Sequence, residues 1–128
     1  MNILALDYGT KRIGLAWMQT GLNVVLPYGL IEEGDRQLNL DALLKLIEEE
    51  SIDMLVIGLP FGEDGEENAN TERIRNFADQ ITARIDVKIA FIGEEFTTKE
   101  AEAMGGEVSL DEKSAMLILE AYIAQKGE

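Results

Sequence analysis

The stretch Leu6-Asp7-Tyr8-Gly9-Thr10-Lys11-Arg12-Ile13-Gly14 decides how this chain is read. It lies between two apolar runs, Ile3 to Leu6 and Ile13 to Met18, and its middle is a polar turn with a glycine free to take positive φ. A strand therefore ends there, and it delivers Asp7 to its C-terminal end. A third run, Val24 to Ile31, follows Gly21 and Asn23, and the three together predict an antiparallel meander. Pro27 lacks a backbone donor, which assigns the third strand to the sheet edge.

Working outward, Leu40, Leu43, Leu44 and Ile47 recur at helical spacing, with Asp41, Lys45, Glu48 and Glu49 on the other faces. Met54 to Ile57 is a continuous apolar run closed by Gly58-Leu59-Pro60, the pattern of a strand covered on both faces in a parallel sheet. After an acidic, Gly-containing loop from Phe61 to Glu67, Ile74, Phe77, Ala78 and Ile81 mark a helix over Thr71 to Ala83, and Val87 to Ile92 a further buried strand. A short helix is expected over Thr97 to Met104, then a Gly105-Gly106 break and a helix from about Asp111 to Gln125. In that last helix Asp111 begins the stripe Ala115, Ile118, Leu119 and Tyr122, so its carboxylate is aimed at the sheet. The expectation is one α/β domain over residues 1–128, a five-stranded mixed sheet in the order βββαβαβα with helices on both faces.

The chain has 128 residues, no cysteine and no histidine, which excludes disulfides, thiol nucleophiles, imidazole bases and ordinary zinc ligation. Any chemistry rests on carboxylates. With 25 acidic against 11 basic residues the net charge is -14, which opposes a nucleic-acid substrate because phosphate binding draws on clustered Lys and Arg. No segment reads as a signal peptide or a membrane span, and a cytoplasmic location is expected.

Three acids occupy strategic positions: Asp7 where the first strand ends, Glu94 or Glu95 past the last strand, and Asp111 at the start of the final helix. Acids at the carboxyl ends of neighbouring strands can share a cation, and magnesium, which favours oxygen ligands, suits such a set. Paired ions roughly 4 Å apart would clamp an in-line phosphoryl displacement by water. Each acid also has a plainer role open to it. Asp7 can close its own Gly9 turn, Glu94 and Glu95 can be solvated loop acids, and Asp111 can cap the helix in competition with Ser109. The Asp-x-Gly-Thr turn alone also opens one half of actin-like kinases and ATPases, which need two such domains to enclose a nucleotide.

The opening stretch from Leu6 to Gly14 resembles, nearly residue for residue, the first motif of the YqgF/RuvX family. Val56-Ile57-Gly58-Leu59-Pro60 with Asp64-Gly65, Arg75-Asn76-Phe77-Ala78, Thr97-Thr98, and Leu110-Asp111 leading to Ser114-Ala115 and Ile118 to Tyr122 extend the likeness over nearly the whole chain. The resemblance implies a ribonuclease H-like fold and a magnesium- or manganese-dependent endonuclease. It further implies metal-binding acids at Asp7, Glu94 and Asp111 and a turn built on Gly9 and Thr10. Lys11, Arg12, Arg73 and Arg75 are then the expected phosphate contacts. The role ranked first is maturation of the 5′ end of precursor 16S ribosomal RNA, with RNA favoured over DNA, and resolution of Holliday junctions is the alternative.

This sequence departs from the family pattern twice. The usual Asp-Glu-Arg before the Thr pair is Gly93-Glu94-Glu95, and the usually longer, basic stretch before the last acid is the short Met104 to Ser109. Both departures cut at substrate binding more than at metal binding. They keep open a second class of function, a degenerate ribonuclease H-like module that docks a partner such as a basic protein. Oligomeric state is not legible in the sequence.

Overall fold

The first three apolar runs form β1 (Asn2–Tyr8), β2 (Ile13–Gln19) and β3 (Leu26–Ile31), paired antiparallel in sequence order. The structure, a computed structural model, describes residues 1–9, 11–22, 24–60, 65–94 and 108–125, with Glu94 described by its backbone alone. The first hairpin is tighter than the sequence suggests. The Gly9 N–H donates to the Arg12 carbonyl at 2.9 Å, so the ladder runs to the turn, and Asp7, at the C-terminal end of β1 as expected, pairs with Gly14. A Cβ at Gly9 would come within 2.8 Å of that same carbonyl oxygen, which accounts for the glycine.

β3 begins at Leu26, two residues later than expected, and Val24 is exposed. It is an edge strand, as Pro27 required, and the pairing register shifts between Leu15 and Ala16, where Pro27 faces Ala16. β4 (Met54–Pro60) and β5 (Lys88–Glu94) run parallel to β1, completing the sheet order β3-β2-β1-β4-β5. β4 lies between two strands and beneath helices on both faces, and Leu55 to Leu59 are buried without alternation.

Helix α1 (Arg36–Glu49) starts earlier than its apolar stripe because the Asp35 carboxylate accepts the Leu38 N–H at 2.8 Å. Helix α2 (Ala69–Thr82) starts at an Asn68–Thr71 capping box. Both pack on one face of the sheet, where Leu40, Leu43, Ile47, Ile74, Phe77 and Ile81 meet Leu4, Leu6, Tyr8 and Ile57. Helix α3 (Leu110–Gln125) covers the other face, placing Ala115, Ile118 and Leu119 on Ile3, Ala5, Ala16, Met18, Val56 and Ile92. The expected helix over 97–104 and most of the acidic loop over 61–67 lie outside the described residues. Among the described residues no helix is long and apolar enough to cross a membrane.

Candidate functional site

Strand alternation splits the end of β1 in two: Tyr8 joins the core under α1 and α2, while Asp7 faces α3. Helix α3 crosses β2 at Gly14, the residue paired with Asp7. The approach is so close that a Cβ at Gly14 would overlap the backbone carbonyl of Asp111. The absent side chain is therefore what lets the first turn of α3 descend onto the strand. Two acids 104 positions apart in sequence are thereby brought together, Asp7 from β1 and Asp111 from α3.

Burial raises the Asp7 carboxyl from its ordinary 3.8 to about 6, and the charge of Asp111 pushes the same way. Ser114, one turn along α3, hydrogen-bonds the Asp7 carboxylate and works against that rise. Asp7 therefore reaches across to the helix, while the Gly9 N–H is taken by backbone. Asp111 likewise does not cap α3. Ser109 does so, its Oγ accepting the Glu112 N–H at 3.2 Å.

Arg12 is the cation beside this pair. Its Nε donates to Asp111 Oδ2 at 2.6 Å and its Nη1 reaches Glu32 at 3.4 Å, so the guanidinium expected to grip phosphate is engaged by two carboxylates. Lys11 is exposed, and its backbone carbonyl accepts from the buried Asn39 side chain of α1, which also holds the Glu33 N–H. That contact ties the hairpin turn to the start of α1.

Glu94 is the last residue of β5, opposite Pro60 and two strands from β1. At normal strand spacing its backbone is roughly 10 Å across the sheet from β1, at the same C-terminal edge. Glu95, Thr10, Thr97 and Thr98 lie outside the described residues. Among the described residues no set of three acids converges on one point, and the pair brought together is Asp7 with Asp111.

Arg73 and Arg75 leave α2 away from the acid pair. Arg75 binds Glu67 at 2.6 Å and lies over the Phe91 ring, whereas Arg73 lies over Tyr8. Ser114 and Gly14 were present in the quoted motifs without an assigned role. The signal for Ser114 was its i+3 spacing from Asp111, and nothing local marks Gly14 as a crossing point.

The donor set is oxygen only, with one carboxylate kept hard to ionise by burial and a like charge. A small hard dication relieves that repulsion, so these residues fit a divalent cation that favours oxygen ligands.

The family model described as "RuvX: Holliday junction resolvase" matches residues 1–125. A protein of Maridesulfovibrio salexigens is 34% identical over 134 aligned residues, covering 98% of this chain and 99% of its own. One of Shewanella denitrificans is 38% identical, covering 94% and 92%. Both carry the name "Putative pre-16S rRNA nuclease". Among solved structures, Thermus thermophilus RuvC matches with TM-score 0.63 at 12% identity, covering 99% of this chain and 97% of that one. The Holliday junction resolvase of fowlpox virus matches with TM-score 0.61 at 12% identity, covering 98% and 99%. These structural likenesses are of fold, and they bear out the ribonuclease H-like architecture expected from the sequence.

Proposed function

The chain belongs to the RuvX family, and we propose on that premise that it is a divalent-metal-dependent nuclease hydrolysing phosphodiester bonds at the Asp7–Asp111 edge of the sheet. The observation carrying this reading is the meeting of two acids from opposite ends of the chain on one side of β1, with Asp7 held at about 6. Precursor 16S ribosomal RNA is the substrate ranked first, in line with the names of the sequence relatives. A Holliday junction is the second reading, favoured by the family description and by the RuvC-like fold. The enzyme is placed in the cytoplasm, where precursor ribosomal RNA would be found.

Asp7 and Asp111 are the proposed metal ligands, with Glu94 the third on the strength of its position at the same edge. When bound, magnesium or manganese supplies Lewis acidity toward the phosphate and an activated water. Ser114 orients the Asp7 carboxylate through its hydrogen bond, and Gly14 permits the approach of α3 that positions Asp111. Arg12 pairs with Asp111, and its guanidinium would serve a phosphate if a bound dication took that carboxylate. Lys11, exposed on the same hairpin, is the second candidate phosphate contact.

The test is cleavage of a labelled precursor fragment, single-stranded RNA and a four-way DNA junction, with manganese, magnesium or chelator, by wild type and Asp7→Asn. Cleavage that needs both metal and Asp7 supports the reading, and the preferred substrate chooses between its two forms. Full activity in folded Asp7→Asn removes the mechanism. Absence of cleavage on every substrate transfers the assignment to a binding module.

A further inference from the structure

On the other side of β1 from Asp7, a cleft of about 310 Å³ opens between α1 and α2, lined by Tyr8, Arg36, Gln37, Glu72, Arg73 and Asn76 among others. Its lining carries two arginines against one glutamate, a local excess of positive charge in a chain of net charge -14. Evenly spread acidity does not produce that reversal. Arg36 has no ion-pair partner among the described residues, in contrast to Arg12, Arg75 and Arg84.

Beneath the cleft the rings of Phe77 and Tyr8 stack at 4.0 Å with 16° between planes, and the Arg73 guanidinium lies 4.9 Å above the Tyr8 centroid. Arg73 Nε and Nη2 donate to Asn70 Oδ1 at 3.2 and 2.6 Å, fixing the group in place. Its Nη1 is buried and has no hydrogen-bond partner among the described residues. A desolvated, unpaired guanidinium N–H is costly, and an acceptor that reaches it recovers that cost. Gln37 donates one amide N–H to Asp41, and among the described residues no hydrogen bond reaches its carbonyl.

We infer that this cleft binds one nucleotide of a single-stranded nucleic acid, its phosphate at Arg36 and Arg73 and its base in the plane that continues the Phe77–Tyr8–Arg73 stack. Bases stack on guanidinium planes as they do on aromatic rings, and the amides of Gln37 and Asn76 offer both donors and acceptors to a base edge. The volume lies at the lower end of ligand pockets, suited to one such unit. Tyr8 follows Asp7 directly but faces the other side of the sheet, so a strand seated here reaches the acid pair only by turning around the C-terminal end of β1. That the bound strand is the one cleaved rests on the nuclease reading, whereas occupancy of the cleft does not.

The test is a calorimetric titration, in chelator, of 5′-phosphorylated hexa-adenylate, adenosine 5′-monophosphate, adenosine and inorganic phosphate into wild type, Arg36→Met, Arg73→Met and Asn76→Leu. The expected result is binding of both nucleotides, weakened about tenfold or more by each cleft substitution. Arg36→Met and Asn76→Leu change exposed positions and keep the test valid if Arg73→Met unfolds the protein. Equal affinity for inorganic phosphate and the mononucleotide, or nucleotide binding unaffected by all three cleft variants, overturns the inference, as does the absence of binding to wild type. Metal- and Asp7-dependent cleavage with KM unchanged in the cleft variants rejects the cleft and leaves the nuclease standing. Cleft-dependent binding without cleavage does the reverse.

Discussion

Asp7 and Tyr8 are neighbours on one strand, yet they end in opposite electrostatic surroundings. On the α3 side Asp7 meets Asp111, and Arg12 there is bound to Asp111 and Glu32. On the α1/α2 side Tyr8 carries a half-buried arginine with an unpaired N–H, and Arg36 stands beside it without an ion-pair partner among the described residues. The comparison teaches that alternation along one strand can set an acid pair and an arginine-bearing cleft on opposite faces of a sheet. Among the described residues Arg73 forms no ion pair with a carboxylate, while Asp111 is paired with Arg12 of the hairpin.

The strongest way to break the acid side is Gly14→Ala. The new methyl would collide with the Asp111 backbone, which cannot swing aside as a side chain can. The expected loss is roughly 3 kcal/mol of stability by urea unfolding, the upper part of the range for overpacking. An unchanged midpoint would mean that α3 is not clamped at this crossing.

The next effect is pH-dependent and confined to the same side. With its pKa raised from 3.8 to about 6, Asp7 takes up protons more readily in the folded than in the unfolded chain. Its contribution is therefore most favourable at low pH and is lost as pH rises through about 6, a difference of roughly 2–3 kcal/mol at 1.36 kcal/mol per unit. In chelator, wild type should lose that much stability relative to Asp7→Asn between about pH 4 and pH 7. Parallel pH profiles for the two proteins would show that Asp7 is not strained by its surroundings.

Arg12→Gln sharpens the comparison with a smaller change. The Arg12 and Asp111 side chains are 48% and 33% exposed, so solvent screens their pairing. Removing it should scarcely move stability and should tighten manganese binding by about two- to fivefold in a calorimetric titration. Weaker manganese binding would instead make Arg12 a support of the site. The smallest effect is expected at Lys11→Ala, which should lower nucleic-acid affinity slightly and reduce the salt slope by about one. An unaltered salt dependence would place the phosphate path away from the hairpin.

Much of the fold was legible because its signals are local. Period-two and period-3.6 patterns located the five strands and three described helices, and Pro27 marked the edge. Element ends were less legible, since Asp35 and Asn68 start their helices ahead of the apolar stripes and the Gly9 turn prolongs β1 past Leu6. At the site, the positions of Asp7 and Asp111 followed from strand-end and helix-start reasoning. The fates of the arginines did not. Arg12, Arg73 and Arg75 look alike in sequence, but the first meets an acid 99 residues away, the second a ring 65 residues away and the third an acid only eight away.

By itself, then, the sequence determined the sheet and its helices, the reliance on carboxylate chemistry, and the family, because those depend on composition and on spacing along the chain. Tertiary structure alone decided that Ser109 and not Asp111 caps the last helix, that Asp7 is pushed to about 6, that Arg12 is engaged by Asp111 and Glu32, and that Arg73 and Arg36 share a cleft behind the acids. Burial and long-range charge depend on which surfaces meet, and on the Asp7 face one missing side chain at Gly14 lets α3 reach the strand and bring Asp111 to Asp7.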